Sequence, residues 1–359
     1  MPGVPCAVFH SSRGRTGLQG LLSVRPSIRR ILNRSIAHRK HVSVARGLLR
    51  VKGLCLVTGG AGFVGAEVVR LLAERGDDVV VFDLEPDDER LAGIDVDVVQ
   101  GDLGDALAMD RAVAAHRPET VFHFGGMLSV DSEADPVASF SANATGTLNV
   151  LEAAIKHGVR QVIYASTMVT YGKDIEGQTI DDTTLQRPHL FYGATKVFSE
   201  HTGLWYKRKH GIDFRGIRYP GIVGPGVKTP GVAQYNAWMI EAAVKGEPFV
   251  VWVREETRHA ILYYKDAANA AVQLAEAPLE HLEREVYVVT SERPSPSAGE
   301  LADAIRRQMP DAQITFEVDA ERQRVLEDVE RPIDDSAART EWGFAPRYGL
   351  DDMVTDMRQ

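Results

Sequence analysis

The chain has 359 residues, of which 44% are hydrophobic and 25% charged, with a net charge of −9 and two cysteines. This composition is typical of a globular protein with two lobes or one large α/β unit, and it excludes a disordered, collagen-like or disulfide-stapled chain and a structural zinc cluster. No apolar run approaches the roughly 18 residues of a membrane span, and an acidic body disfavours nucleic acid, so we expect neither partner and no metal.

The first fifty residues differ in composition from the rest of the chain. Residues 1–53 contain nine Arg, two Lys and no acidic residue, and the first carboxylate belongs to Glu67. An Arg- and Ser-rich, acid-free segment is typical of a mitochondrial transit peptide. Upstream sequence read in frame, with the true start near Val51, and a basic nucleic-acid-binding arm remain alternatives. Residues 1–50 are interpreted as a separate extension, which predicts a mitochondrial protein in a eukaryote and a cytoplasmic one in a bacterium.

A nucleotide-binding unit is predicted directly after this extension. Residues 53–58 form a short apolar strand that runs into Gly59-Gly-Ala-Gly62-Phe-Val-Gly65 and then into a helical pattern over residues 66–75. Gly59 allows a tight turn, Gly62 lets the backbone approach a pyrophosphate, and Gly65 lets helix and strand pack closely. The free N–H groups at the helix N-terminus would then face the phosphates.

The second predicted strand, residues 79–82, is followed by Asp83, which indicates the cofactor. Asp83 lies 18 residues after Gly65. A carboxylate at this position accepts hydrogen bonds from a ribose 2′-hydroxyl and repels a 2′-phosphate. The sequence therefore predicts NAD, rather than NADP, as the cofactor.

Further strand–helix units follow along the chain. Strands are predicted over residues 96–99, 120–124 and 161–165, and glycine or polar residues follow each of them. A run of such units implies a Rossmann-type, doubly wound parallel sheet with helices on both faces and its ligand at the carboxyl ends of the strands. Asp102, just beyond the first of these three strands, is expected near the adenine.

Tyr192 and Lys196 are the candidate catalytic pair. They are four positions apart, which places them on one face of a helix, and no other tyrosine in the chain has a lysine at this spacing. A nearby ammonium stabilises a phenolate, so we expect a lowered pKa for Tyr192 and a role as general acid/base. Thr167, after a predicted strand, is placed to hydrogen-bond the substrate oxygen. The alternatives are a packed aromatic for Tyr192 and a turn cap for Thr167.

Together these residues resemble the extended short-chain dehydrogenase/reductase family, the group of NAD-dependent epimerases and dehydratases. The resemblance covers residues 53 to about 350 and rests on the glycine run, Asp83, Tyr164-Ala-Ser-Thr167, Tyr171-Gly172 and Tyr192-x-x-x-Lys196. It implies that Tyr192 is the acid/base, Lys196 holds the nicotinamide ribose and Thr167 is the hydroxyl partner. The implied NAD contacts are Gly59, Gly62, Phe63, Val64, Gly65, Asp83, Asp102, Leu103, Phe124, Gly125, Tyr192, Lys196 and Tyr219.

The second half of the chain resembles one branch of that family. Residues 213–221, 256–266 and 333–343 are similar to the short-chain type of L-threonine 3-dehydrogenase, as is the sequence Met127-Leu-Ser129. The similarity implies oxidation of the threonine β-hydroxyl by NAD to 2-amino-3-ketobutyrate. His259, which follows Arg258, is interpreted as structural or substrate-facing rather than metal-bound. The predicted substrate contacts are Ser129, Thr167, Gly221 and Arg258.

Two other functions remain open. Nucleotide-sugar 4-epimerases (of the UDP-glucose 4-epimerase kind) and dehydratases share the glycine run and the Tyr–Lys pair, but the epimerases usually carry an Asn where this chain has Pro220-Gly221. Its absence removes one expected diphosphate contact and favours a small substrate. The other alternative is a non-catalytic NAD sensor on the same fold. Loss of Tyr192 or Lys196 would have indicated a sensor, and both residues are present.

The chain is predicted to divide after the strand that precedes Pro220. Residues 51–220 form the NAD-binding domain, and residues 221–359 mainly form a substrate-binding cap, with some segments returning to the first lobe. Cap helices are predicted over residues 301–309 and 336–342. In the family that this chain resembles, the catalytic helix helps to form a two-fold dimer, which implies a homodimer.

Overall fold

The computed structural model describes residues 53–86, 89–177, 179–228 and 230–359, so the predictions for residues 1–50 concern residues outside the described part of the chain. The strands are β1 (Cys55–Thr58), β2 (Val79–Asp83), β3 (Asp97–Gln100), β4 (Thr120–His123), β5 (Gln161–Thr167), β6 (Asp213–Tyr219), β7 (Gly221–Val223), β8 (Phe249–Val251), β9 (Ile261–Tyr263), β10 (Val286–Val288) and β11 (Ile314–Phe316).

Helices separate most of these strands, and no helix in the described ranges is both long and apolar enough to span a membrane. The α-helices are α1 (Phe63–Glu74), α2 (Ala106–His116), α3 (Ser129–Ala134), α4 (Pro136–Ser139), α5 (Gly146–His157), α6 (Phe191–His210), α7 (Tyr235–Lys245), α8 (Tyr264–Glu276), α9 (Ala298–Gln308), α10 (Ala320–Val329), α11 (Ser336–Glu341) and α12 (Leu350–Met357). A π-helical turn (Phe140–Thr145) joins α4 to α5.

Seven strands form one parallel sheet in the order β10-β6-β5-β4-β1-β2-β3. Strands buried on both faces need apolar side chains on both, which is why β1 is a continuous apolar run. Cys55 and Val57 pack with α1 and α8 on one face, whereas Leu56 packs with α2 and α5 on the other. The predicted doubly wound parallel sheet is confirmed.

The cap consists of two small parallel sheets and the helices around them. β7 pairs with β9, and β8 pairs with β11. Their apolar side chains form a separate core with α7, α9 and α12. The chain enters the cap at the carboxyl end of β6, because β7 follows β6 after the single residue Pro220. The cap is therefore connected directly to the edge of the sheet that carries the ligand-binding loops.

Three segments from the second half of the chain belong to the large sheet or its layers. β10 pairs with β6, and α8 packs in the same apolar core as α1. The prediction of a cap helix over residues 336–342 is wrong in its placement, because Ala338 and Trp342 pack in the core of the large sheet. Trp342 meets Tyr287 of β10 edge-to-face, with ring centroids 5.8 Å apart. The helical pattern alone does not indicate which layer buries its apolar face.

Candidate active site

A cavity of about 1040 Å³ runs along the carboxyl ends of the strands, from the glycine loop to the cap. This is the edge where open parallel sheets bind ligands. Of the predicted NAD contacts, all but one line it; these are Gly59, Gly62, Phe63, Val64, Gly65, Asp83, Asp102, Leu103, Phe124, Tyr192, Lys196 and Tyr219. Gly125 is not among the lining residues, and it packs closely against the glycine loop, where a Cβ atom would come within 2.6 Å of the Leu103 side chain and 3.2 Å of the Gly59 nitrogen.

The glycine loop between β1 and α1 allows a close approach of backbone to backbone. Gly59 has φ +65°, a conformation that residues with a Cβ rarely adopt. A Cβ at Gly65 would overlap the Gly59 carbonyl oxygen, so only glycine lets α1 begin this close to the turn. The N-terminus of α1 consequently faces the cavity with unpaired N–H groups, which is the arrangement that binds a pyrophosphate.

Asp83, at the end of β2, has the geometry that a ribose contact requires. One carboxylate oxygen accepts a hydrogen bond from the Ala61 N–H at 2.9 Å, and the other accepts one from the Glu85 N–H at 3.2 Å. Each oxygen keeps a lone pair for a ribose hydroxyl. Asp102 is held in a similar way by the Gly104 N–H at 2.8 Å. The residues of this half of the cavity therefore fit an adenosine diphosphate with free ribose hydroxyls.

Thr167, Tyr192 and Lys196 converge at the middle of the cavity. Thr167 is the last residue of β5, and Tyr192 and Lys196 occupy successive turns of α6. All three are buried, with 8%, 7% and 4% of their surfaces exposed. The Lys196 ammonium donates a hydrogen bond to the Ala165 carbonyl at 2.9 Å and lies 5.7 Å from the centroid of the Tyr192 ring.

The expected lowering of the Tyr192 pKa is not what the protein alone produces. Burial raises the pKa of Tyr192 above its usual value, and a hydrogen bond with the Thr167 side chain opposes the rise only in part. Burial also lowers the pKa of Lys196 to about 8, against the attraction of Glu200. The Tyr–Lys spacing alone predicts a lowered pKa for Tyr192. It does not show that both side chains are buried, and burial is the larger effect on their pKa values.

Asn143 is a buried residue beside the cavity that the sequence did not single out as part of the site. Its side-chain oxygen accepts a hydrogen bond from the Met127 N–H at 2.7 Å, and its NH₂ group donates to the Met127 carbonyl and to the Thr195 hydroxyl, both at 3.1 Å. It therefore joins the loop after β4 to α6, the helix that carries Tyr192 and Lys196. Asn143 lies in the π-helical turn, and such turns are frequent at functional sites.

Glu200, which the sequence did not single out either, connects α6 to the large sheet. It follows Lys196 by one further turn, is 1% exposed, and accepts hydrogen bonds from Ser166 and from Arg218, the latter at 2.8 Å. Arg218 in turn donates to the Tyr171 hydroxyl at 2.7 Å. Lys196 and Glu200 are four residues apart, as are Tyr192 and Lys196. This spacing places all three side chains on one face of α6, and it could have indicated Glu200 from the sequence.

The predicted substrate residues separate into two groups. Ser129, Thr167 and Gly221 line the cavity, but Arg258 does not. The Arg258 guanidinium pairs with the Glu300 carboxylate through two contacts of 2.9 and 3.0 Å and donates to the Ser295 carbonyl. The assignment of Arg258 to the substrate is therefore corrected. Successive side chains of an extended segment point in opposite directions, and the residue that lines the cavity is His259.

Comparisons with known proteins agree with this geometry. The model of the NAD dependent epimerase/dehydratase family matches residues 55–290. The chain is 31% identical to the mitochondrial L-threonine 3-dehydrogenase of Bos taurus over 307 residues, which cover 84% of this chain and 81% of the relative. A structure of an L-threonine dehydrogenase from Cupriavidus necator in its holo form is 32% identical, with a TM-score of 0.77 over 85% of this chain and 98% of that one. A UDP-glucose 4-epimerase from Thermotoga maritima with UDP-glucose is 26% identical, with a TM-score of 0.75 over 85% and 97% of the two chains.

Proposed function

The chain belongs to the NAD-dependent epimerase/dehydratase family, and on that premise we propose that it is a dehydrogenase that oxidises L-threonine to 2-amino-3-ketobutyrate. The observation that carries the proposal is the convergence of Thr167, Tyr192 and Lys196 with Ser129 in one cavity that also contains the glycine loop. The 31% identity to an L-threonine 3-dehydrogenase over most of both chains supports the choice of substrate.

In the proposed reaction Tyr192 removes the proton of the substrate hydroxyl while a hydride leaves the same carbon. The buried phenol needs a positive charge nearby to form a phenolate, and the Lys196 ammonium on the next turn of α6 is that charge. The Thr167 oxygen accepts a hydrogen bond from the Val169 N–H at 3.2 Å. Its own hydrogen bonds with Tyr192 in the protein alone, and a substrate oxygen placed between the two side chains would accept that hydrogen bond instead and be held beside Tyr192.

The residues present fit NAD. The glycine loop and the N-terminus of α1 would hold the pyrophosphate, Asp83 the adenosine ribose and Lys196 the nicotinamide ribose. When bound, NAD supplies the hydride acceptor that no side chain provides. Phe124 and Tyr219, with ring centroids 6.1 Å apart, form an apolar wall that keeps water from the reacting carbon.

NADH absorbance at steady state tests the proposal. The purified protein is incubated with NAD and L-threonine, and then with other hydroxy amino acids and hydroxy acids. We expect sustained growth of the NADH signal with L-threonine, because a dehydrogenase releases reduced cofactor at every turnover. A stoichiometric burst without sustained turnover, or no signal with any of these compounds, would exclude the proposed reaction.

A nucleotide-sugar 4-epimerase is the second candidate, and a group of cationic side chains favours it, although the carboxylates of Asp328 and Glu330 line the cavity beside Arg324 and Arg331. Lys173, Lys228, Arg324 and Arg331 line the cavity and suit an anionic substrate such as a nucleoside diphosphate. An epimerase re-reduces its intermediate and releases no NADH. Interconversion of UDP-glucose and UDP-galactose without net NADH formation would therefore assign the protein to this class.

A homodimer through α6 is part of the proposal. Phe140, Phe198 and Trp205 expose 48%, 43% and 48% of their surfaces, and the Phe140 and Phe198 rings lie 5.9 Å apart. A contiguous apolar surface of this kind is typical of an association site. We expect a dimer in sedimentation equilibrium and a monomer for the Trp205→Glu variant. A wild-type protein that remains monomeric at micromolar concentration would contradict the dimer.

A further inference from the structure

The cap side of the cavity contains a histidine–glutamate pair that the reaction above does not use. The His259 Nδ1 atom lies 3.0 Å from Glu330 Oε2, and both residues line the cavity. The two side chains are largely buried, with 17% and 21% of their surfaces exposed. A carboxylate can only accept, so Nδ1 carries the proton of this hydrogen bond, and Nε2 is the ring atom left for a ligand.

Both members of the pair are held by ordered backbone. His259 precedes β9 by two residues, and its N–H donates to the Pro296 carbonyl at 3.1 Å. Glu330 follows the last residue of α10, and its N–H donates to the Leu326 carbonyl at 2.9 Å. The imidazole is therefore oriented from two directions before any substrate arrives, which reduces the entropy lost on binding.

The free ring nitrogen lies close to the catalytic residues along the sheet. A Cβ atom at Gly221 would sit 3.0 Å from His259 Nε2, so the missing side chain of Gly221 leaves the room that this nitrogen needs. Tyr219 is the register partner of Thr167, and Gly221 lies two residues further along the chain. Two residues of extended chain span roughly 7 Å, a distance that the neighbouring hydroxyl and amino groups of a small substrate can bridge with one hydrogen bond at each end.

The charge of the pair indicates which group it receives. With a neutral imidazole the pair carries one negative charge, and Nε2 presents a lone pair, so it attracts a cation with N–H donors. Arg331, the residue after Glu330, also lines the cavity and donates to the Glu330 backbone carbonyl at 2.7 Å. The His259–Glu330 pair can receive an ammonium group, and the Arg331 guanidinium can receive a carboxylate. Together they are complementary to a molecule that carries both groups.

We propose that His259 determines substrate specificity by accepting, at Nε2, a hydrogen bond from the α-ammonium of a β-hydroxy-α-amino acid, and that Glu330 is the positioning residue for its ring. The inference rests on the proposed dehydrogenase function and deepens it. It assigns the recognition of the amino group to the cap, whereas the hydroxyl is recognised by Thr167 and Tyr192 on the large domain.

Steady-state kinetics of the full chain with two alcohols test the inference. L-threonine is compared with (R)-3-hydroxybutyrate, which has the same carbinol geometry and no amino group. We expect His259→Leu to raise KM for L-threonine by about 10- to 100-fold, with a much smaller change in kcat, because one charge-assisted hydrogen bond is lost. The preference of the wild-type protein for L-threonine over (R)-3-hydroxybutyrate should fall by the same factor, and KM for NAD should not change.

Three further variants separate recognition from a structural effect. His259→Gln keeps a polar atom near the position of Nε2 and should recover part of the affinity for L-threonine. Glu330→Gln should raise KM by about 3- to 10-fold alone and by little in a His259→Leu background, since it acts through the ring. His281→Leu, a histidine substitution at an exposed position in the 3-10 turn Leu279–His281, is the matched control and should leave both constants unchanged.

Each result supports or overturns the inference. If the wild-type protein oxidises L-threonine and His259→Leu keeps its KM and its substrate preference, the inference is wrong while the proposed function stands. Equal losses of kcat with both alcohols, together with a lower unfolding midpoint, would show that the pair is structural. A wild-type protein that interconverts UDP-glucose and UDP-galactose but forms no NADH from L-threonine would overturn the proposed function and the inference with it.

Discussion

At the scale of single residues, Tyr192 shows that burial outweighs the charge beside it. Its phenol is 7% exposed, and burial raises its pKa although the Lys196 ammonium lies 5.7 Å from the ring centroid. Desolvation disfavours the phenolate, and the hydrogen bond with the Thr167 side chain offsets only part of that effect. In the proposed reaction, formation of the phenolate therefore depends on positive charge beside the ring, which the Lys196 ammonium supplies.

Replacing the Tyr192 hydroxyl tests its role as the base. Tyr192→Phe should lower kcat by about 10²- to 10⁴-fold, because proton removal from the alcohol is then left to water. The affinity for NAD, measured by titration of protein fluorescence, should change little, since the ring remains in place. A variant that retains the wild-type kcat would show that another group takes the proton.

Asp83 is the residue on which cofactor selectivity depends. Asp83→Ala removes the acceptor for the ribose hydroxyl and the repulsion of a 2′-phosphate, so we expect about a tenfold or larger loss of NAD affinity and improved binding of NADP. Asp83→Asn keeps an acceptor for the Ala61 N–H and is the control for loop structure. The ratio of kcat/KM for the two cofactors is the measurement, and an unchanged ratio in Asp83→Ala would contradict the assignment.

At the scale of elements, a buried carboxylate helps to attach the segment between β5 and α6 to the sheet. The Asp182 Oδ1 atom accepts a hydrogen bond from the Val288 N–H of β10 at 2.6 Å, and Arg284 approaches its other oxygen at 3.5 Å. Burial raises the pKa of Asp182 to about 6, and these two contacts oppose the rise. The same segment contributes Lys173, His189 and Leu190 to the cavity, so this contact also supports the active site.

Asp182 predicts a pH dependence of stability with a defined sign. Between about pH 4 and pH 6 the folded protein holds the Asp182 proton more tightly than the unfolded chain does, so this group's contribution to the free energy of unfolding falls as the pH rises. Asp182→Asn removes that dependence. The stability of the variant relative to wild type should increase by about 2 kcal/mol across this window in urea unfolding.

Exposed acids provide the comparison for this experiment. Glu247→Gln changes an exposed carboxylate and is the control for the loss of one negative charge from the protein. A difference for Asp182→Asn that is constant between pH 4 and pH 6 would show that the Asp182 carboxyl titrates normally in the folded protein.

At the scale of the whole molecule, the cavity connects residues that are distant in the chain, from Gly59 on the first loop to Ile333 near the C-terminus. A ligand that binds them together binds only the folded state. NAD at 100 times its Kd should therefore raise the free energy of unfolding by about 2.7 kcal/mol. Tyr192→Phe should show the same protection in urea unfolding, and Asp83→Ala should show less at equal NAD concentration. The absence of protection in the wild-type protein would contradict cofactor binding at this cavity.

Local sequence spacing was sufficient to predict the NAD-binding half of the cavity and to bring the proposed catalytic residues together there. The glycine loop, Asp83 and the Tyr192–Lys196 pair have local spacings, and a turn, a helix face or a strand end places such residues without reference to distant parts of the chain. Twelve of the predicted NAD contacts line the cavity, because successive parallel strands end at one edge of the sheet. These are features for which local geometry is sufficient.

The substrate end of the cavity depends on contacts between elements that are far apart in the chain. Whether Arg258 or His259 faces the ligand depends on the direction of one extended segment, and Glu330 reaches His259 from 71 positions along the chain. The placement of Trp342 under β10 and the contact of Asn143 with the loop after β4 are likewise long-range. Burial and these long-range contacts depend on which elements pack against each other. Local sequence patterns do not specify that packing, so they do not predict these contacts.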